Sequence, residues 1–501
     1  MIKRIFLSLF LVIVILGVIL SYNALQIKSR QITVAPAPAI KIPENAIKHL
    51  SEAIQIPTIS YDDDQKRDTA AFKSLLNYIE QTYPLVDSLL KKEIINQYSL
   101  LYTWEGSDKN LAPIILMAHM DVVPVEGVPK EHWKKKPENP DEHSWKYPPF
   151  SGQIADNYIW GRGSMDDKMN VFGMLEALEL RLQKGFQSKR TIYLVFGHDE
   201  EEGGRSGAKK IAENLNNKGV KAEFVLDEGL FILKGLMPGV DKPVAYIGAA
   251  EKGFVNIELS VQGEGGHSSR PPLETPIGIL SRGIVNLESH PFTAKIDGAS
   301  NAMLEYLVPE MPFVNRLVFN NRWLLESLLI SQMSKKSASN AVLRTTIAPT
   351  MLEGSQKANV LPIVAKVVVN FRIKPGETSQ TVLAHVNKVI NDQRVKAQIL
   401  SRGFDSNDPI EMSDIESKGF QVLHQTIKEI FPDVLVSPAL MIGGTDSKHF
   451  REISQNIYRF SPIYLQEDEL AGFHGKNERI SIQNFEKTIH FYFQLIGNFG
   501  R

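Results

Sequence analysis

Ile114-Ile115-Leu116-Met117-Ala118 is a continuous apolar run of buried-strand length, closed at once by His119-Met120-Asp121. The same grammar recurs twice. Thr191-Ile192-Tyr193-Leu194-Val195-Phe196 runs into His198-Asp199-Glu200-Glu201-Glu202-Gly203-Gly204, and the shorter Phe224-Val225-Leu226 ends in Asp227-Glu228-Gly229. Between the first two runs, Lys168 to Leu182 carries apolar residues at helical spacing, with Gly185 as a stop. Apolar strands alternating with helical periodicity are the pattern of βαβ units and predict an α/β fold. In open α/β sheets ligands bind beyond the carboxyl ends of the strands, where these polar residues lie.

Outward from this centre the texture changes near Phe254. Val255-Asn256-Ile257-Glu258-Leu259-Ser260-Val261 alternates as a half-exposed strand does, and Lys366–Arg372 offers it a partner. Helix-like stretches lie around Ile277–Leu287 and Thr381–Asn391, so residues 254–405 read as an inserted α+β domain. The flanking segments, 45–253 and 406–501, form the two parts of the main domain, and the second ends in an amphipathic helix around Asn484–Ile496. A chain of 501 residues is too long for one ordinary core, which agrees with two domains. The net charge of −1, with Lys and Arg scattered, excludes a global field for nucleic acid, and none is expected as a partner. Cysteine is absent, so any metal must sit on His, Asp and Glu.

Residues 1–4, which include Lys3 and Arg4, precede an uncharged, almost wholly apolar run from Ile5 to Leu20. We read 5–22 as a transmembrane signal anchor, with residues 1–4 as a cytoplasmic tip and 23–44 as a linker. A cleaved signal peptide is the rival reading and would make the protein secreted. Either way the body is extracytoplasmic, on the periplasmic, lumenal or extracellular face. Val34-Ala35-Pro36-Ala37-Pro38-Ala39 reads as a stiff extended spacer that lifts it off the membrane.

Taken singly, the polar segments are ambiguous. His119 and Asp121 point the same way at a strand period of two, so the carboxylate can orient the imidazole as metal-bound histidines require. Gly161-Arg162-Gly163-Ser164-Met165-Asp166-Asp167-Lys168 leads into a helix, and Asp166 or Asp167 can be simply its N-cap. Four acids directly after a buried run are costly unless something neutralises them, yet a solvated loop would do so. Asp62-Asp63-Asp64 lacks the later glycine and glutamate of a calcium loop and reads as solvated. Together, His, Asp, Glu and Asp at successive strand ends suit a hard or borderline cation.

The ordered set of motifs resembles a zinc metallopeptidase family that includes carboxypeptidase S, aminoacylase-1, bacterial glutamate carboxypeptidase and N-fatty-acyl-amino-acid synthase/hydrolase. The matching pieces are Met117–Pro124, Trp145–Gly152, Ile159–Lys168, Asp199–Gly204, Gly265–Pro272 and Gly443–Ser447, in family order over about residues 45–501. Trp145-Lys146-Tyr147-Pro148-Pro149-Phe150 and Trp160 point to the carboxypeptidase S and N-acyl-amino-acid hydrolase branch. The resemblance implies a central mixed, mostly parallel sheet flanked by helices, with the insert as a lid or dimerisation domain through which a homodimer can form. It implies two zinc ions per chain: His119 and Asp227 on one, Glu201 and His474 on the other, Asp166 bridging. Asp121 would orient His119, Glu200 would be the general base acting on a water between the metals, and His267 would stabilise the oxyanion. Asn359, Arg372 and Gly444 match positions near the substrate carboxylate.

The implied reaction is hydrolysis, in principle reversible, of the amide bond to a C-terminal amino acid in a small peptide or an N-acyl amino acid. The stretch from Met303 to Leu329, rich in Leu, Phe, Val and Trp, can either line a channel for a long acyl chain or form lid-domain core. The alternative function is a catalytically inactive binding ectodomain on the same fold.

Overall fold

The structure, a computed structural model, describes residues 2–61, 66–136, 144–400 and 406–500. The Asp62-Asp63-Asp64 run and the end of the expected insert at 401–405 lie outside the described residues. The chain divides into two compact units. One comprises Gln31–Ala249, Ser413–Pro438 and Thr445–Arg501, and the other Met1–Arg30, Ala250–Met412 and Ala439–Gly444.

The larger unit is built on the quoted run. Ile114–His119 is a strand with all six residues buried, and it pairs in parallel with Ile192–Gly197 on one side and Phe224–Asp227 on the other. From one edge the sheet runs Lys91–Ile95, Ser99–Trp104, Ile192–Gly197, Ile114–His119, Phe224–Asp227, Ile457–Arg459, Val244–Glu251, Ile232–Leu233 and Tyr464–Leu465. Leu435–Met441 pairs with Val244–Glu251 off this path. The sheet is mixed as expected but not mostly parallel: its centre is parallel, and so is the edge pair Ile232–Leu233 with Tyr464–Leu465, while the remaining registered pairs are antiparallel. Ile457–Arg459 joins Phe224–Asp227 in parallel, whereas Ser99–Trp104 and Val244–Glu251 attach antiparallel to either side. The short hairpin Lys91–Trp104 needs no crossover helix, which is why an antiparallel edge forms there.

The helix predicted from Lys168 spans Lys168–Gln183 and is buried on nearly all sides. It lies against the C-terminal helix Ile482–Phe499, and Gly173 has room only for hydrogen because a Cβ would meet Thr488 Cγ2 at 2.6 Å. The 34–39 segment is not a free-standing spacer. Ala37 N–H donates to Glu429 O, the His490 ring bonds Pro38 O at 3.1 Å, and the Gln31 amide bridges Val436 N and O.

In the smaller unit, Gly253–Gln262 pairs antiparallel with Val364–Ile373 over ten registered residues, as the alternation suggested. Thr346–Glu353 and Val395–Ile399 complete a four-stranded sheet. Val255, Ile257, Leu259 and Val261 face a core closed by helices Pro276–Ser289 and Ser379–Ile390. Each such aliphatic side chain contributes about 1.5–3 kcal/mol by burial. The helix Ile2–Gln26 is long and apolar enough to cross a membrane, and none of the residues in its most apolar stretch is buried.

Candidate active site

His119 ends its strand, and its ring is fixed from behind. Nδ1 lies 3.0 Å from the carbonyl oxygen of Asp121 and 3.4 Å from its carboxylate. Asp121 is itself fully buried and accepts hydrogen bonds from Ser60 Oγ at 2.7 Å and from the backbone N–H groups of Glu200 and Glu201 at 3.1 Å. One carboxylate thus ties the end of the first strand to the acidic turn after the second.

The other face of the ring meets Asp166, whose Oδ1 is 2.9 Å from His119 Nε2. Asp166 Oδ2 lies 2.7 Å from His474 Nε2, which in turn is 3.4 Å from Glu201 Oε2. His119, Asp166 and Glu201 each offer a ligand atom within 4.8 Å of the others. Asp166 therefore stands between the two histidines. The helix cap position of Lys168–Gln183 belongs to Asp167 rather than Asp166, and the Asp167 carboxylate accepts from the Asn170 side chain at 2.6 Å instead of capping the backbone.

Asp227 ends the third strand and is buried, but it is outside that 4.8 Å group. Its oxygens accept from Ser447 N at 2.8 Å and Glu228 N at 2.9 Å. His267, Asn359, Arg372 and Gly444 belong to the smaller unit. There Gly266–His267 pairs with Val360–Leu361, Ser268 N–H donates to Asn359 O, and His267 bonds Ser269 Oγ at 2.8 Å. The Arg372 guanidinium lies 4.9 Å over the Phe254 ring, and a Cβ on Gly444 would come 3.7 Å from Glu251 Oε1.

The larger unit's site is a nest in which buried carboxylates outnumber the positive charge, and the carboxylates around His119 and His474 raise the pKa of both rings. Burial pushes the Glu201 carboxyl up to about 7, with Asp166 adding to it. Burial likewise holds Glu200, Asp167 and Glu228 well above the usual carboxylate range, reinforced at Glu200 by Asp446 and Glu201. Asp227 is raised for the same reason. For Asp166 burial acts upward too, but the two histidines reverse it and hold the group low. Glu201 Oε1 is buried with no hydrogen-bond partner among the described residues, and so are both carboxylate oxygens of Asp446. Histidine nitrogens and carboxylate oxygens converging with an orphaned oxygen are a donor set that zinc or a similar cation fits.

Two residues that sequence reasoning did not single out hold this arrangement. Glu478, fully buried, accepts from the N–H groups of Gly163, Met165 and Asp166 at 2.8–3.3 Å and pairs with Arg162 at 2.6 Å. Arg162 Nη2 donates to the carbonyls of His474 and Gly475, both at 3.1 Å. The pair joins the segment carrying Asp166 to the one carrying His474 across more than three hundred residues of chain. Gly163 must be glycine, with φ +88° and a Cβ that would meet Val122 at 2.7 Å. In sequence Glu478 is one charge in the run Lys476-Asn477-Glu478-Arg479 and carries no local signal.

Comparison with known proteins agrees with this geometry. The model of peptidase family M20/M25/M40 matches residues 115–498. The chain is 39% identical over 455 residues to "Probable carboxypeptidase S-like 2" of Dictyostelium discoideum, covering 90% of this chain and 84% of that protein. It is 40% identical over 453 residues to the human N-fatty-acyl-amino acid synthase/hydrolase PM20D1, covering 90% and 86%. Among solved structures, an M20 family metallo-carboxypeptidase from Sulfolobus solfataricus has the same fold, with a TM-score of 0.67 at 18% identity over 91% of this chain and all of that one. With the family model covering most of its length and these relatives spanning nine-tenths of it, the chain belongs to metallopeptidase family M20 and is an enzyme that hydrolyses amide bonds.

Proposed function

We propose that the enzyme cleaves the amide bond that joins an acyl or peptidyl group to a C-terminal amino acid, at a pair of zinc ions. The observation that carries this is the meeting of His119, Glu201 and His474 around Asp166 in a buried, carboxylate-rich nest. In this reading His119 and Asp227 would hold one ion, Glu201 and His474 would hold the other, and Asp166 would be shared between them. When bound, the ions supply Lewis-acid polarisation of the scissile carbonyl and acidify the attacking water.

The chain's own groups do the rest. Asp121 keeps His119 in one orientation through the Nδ1 side of the ring. Glu200, whose backbone is pinned by Asp121, takes the proton of the attacking water and passes it to the leaving amine. His267 donates to the developing oxyanion, and Asn359, Arg372 and Gly444 read the free carboxylate, for which a guanidinium fork is well shaped. The names of the relatives point to two substrate classes, short peptides and N-acyl amino acids.

The helix Ile2–Gln26 serves as an uncleaved anchor, with Lys3 and Arg4 on the cytoplasmic side and the catalytic body outside. The smaller unit acts as the lid, and a homodimer forms through it. The test is an assay of dipeptides and N-acyl amino acids with the wild type and Glu200→Ala. The variant should bind metal normally and turn over neither class; full activity in it would remove Glu200 as the base.

A further inference from the structure

Helices Phe313–Phe319 and Arg322–Met333 break the rule by which the rest of their unit is built. The first buries none of its residues and the second only Leu329. Val314 is 71% and Trp323 64% exposed, with Phe313, Leu324 and Leu328 also open to solvent. Leu324 and Leu328 are one turn apart and share a face of the second helix, with exposed Trp323 bordering it and Glu326 and Ser327 also open to solvent. These side chains are not lid-domain core, one of the two roles their composition suggested.

The corner between the two helices is tied to the apolar helix Ile2–Gln26. Asn321, fully buried, accepts from Asn23 Nδ2 at 2.8 Å and donates to Leu20 O at 3.0 Å. Asn320 Nδ2 donates to Asn23 O at 2.6 Å, and Ala24 is fully buried beside them. A helix of 25 residues rises about 37 Å, somewhat more than the ~30 Å of bilayer hydrocarbon. With Arg4 at one headgroup level, about 20 residues of helix reach the other near Asn23. The latched corner is therefore held at the outer headgroup level, with exposed Tyr22 alongside. Arg316 and Arg322 flank the apolar face, and Lys335-Lys336 follow it.

Exposed apolar side chains on two short helices with basic neighbours, placed at that depth, suit an element lying in the membrane surface, and tryptophan favours the same level. We infer that Phe313–Phe319 and Arg322–Met333 form an interfacial platform that rests in the outer leaflet beside the anchor. The inference rests on Ile2–Gln26 being retained as a span. A second copy of the chain is the rival occupant. Lipid is favoured because the asparagine latch fixes the patch within two helical turns of the point where the anchor leaves the bilayer. The platform would keep the smaller unit at the surface into which long-chain N-acyl amino acids partition.

The test uses the full chain in vesicles of phosphatidylcholine with a minority of phosphatidylglycerol, brominated near the headgroup end of the acyl chains. Of the five tryptophans, Trp104, Trp133, Trp145 and Trp160 lie in the larger unit, so the difference between wild type and Trp323→Phe isolates Trp323. The platform predicts that the chain floats with the vesicles and that Trp323 emission falls roughly twofold on bromination. A chain that floats while Trp323 stays unquenched overturns the platform and leaves the anchor standing. Cross-linking of Trp323 patches between copies, without quenching, identifies the second-copy arrangement and also overturns it. A chain that does not float removes anchor and platform together.

Discussion

Asp121 and Glu478 do comparable work from opposite sides of the site. Each is a fully buried carboxylate whose oxygens accept backbone N–H groups, and each fixes two segments distant in sequence. Removing one partner of a buried pair leaves an uncompensated charge, which costs about 3–5 kcal/mol. Glu478→Gln should therefore leave Arg162 without its counter-ion and loosen both Asp166 and His474. The expected outcome is a roughly 10–100-fold loss of zinc affinity, read by chelator competition; an unchanged affinity would make the pair irrelevant to the site. Glu200→Ala should behave in the opposite way. It should keep metal while turnover falls by about 10²–10⁴, measured as kcat with metal content determined on the same sample. His119 and Glu201 are legible because they end or follow apolar runs, and Asp166 because it falls in a dense glycine-bearing motif ahead of a helix. Glu478 was not legible, because its function exists only after Arg162, more than three hundred residues away, folds against it.

At the scale of elements, the apolar runs gave strand positions directly, since a strand buried on both faces has no polar residue to spare. Strand direction was less readable. The antiparallel strands Ser99–Trp104 and Val244–Glu251 are as buried as the parallel centre, and only connection length distinguishes them. Exposure was least readable, as Phe313–Phe319 shows: an apolar helix looks alike whether it faces a core or a lipid surface. The helix Lys418–Ile430 yields a prediction of its own. His424 on it is buried beside Phe420, and burial, with Lys428 nearby, lowers its pKa to about 4. The unfolded chain takes up this proton near pH 6.5 and the folded one only near pH 4, so stability rises with pH across that window. The group withdraws up to about 3 kcal/mol as pH falls through it. In His424→Leu the denaturant midpoint should change less between those two pH values than in wild type. An equal or larger change would contradict the assignment.

At the scale of the molecule, the larger unit gathers buried carboxylates at the ends of its central strands with too few cations of its own. Like charges in a low-dielectric site oppose folding until a cation joins them. Chelation should therefore lower the melting temperature by roughly 5–10 °C, and zinc should restore it; a scan with and without chelator decides this. The proposed metal pair, shared through Asp166 and carrying amide hydrolysis, is open to test on the whole enzyme. The most direct measurement is the metal content per chain of the purified full-length enzyme, taken together with its hydrolysis of an N-acyl amino acid, for wild type and Asp166→Ala. About two zinc ions per wild-type chain are expected, with metal and turnover lost together in the variant. Undiminished turnover by Asp166→Ala, or by wild type holding fewer than about one ion per chain, would contradict the proposed pair.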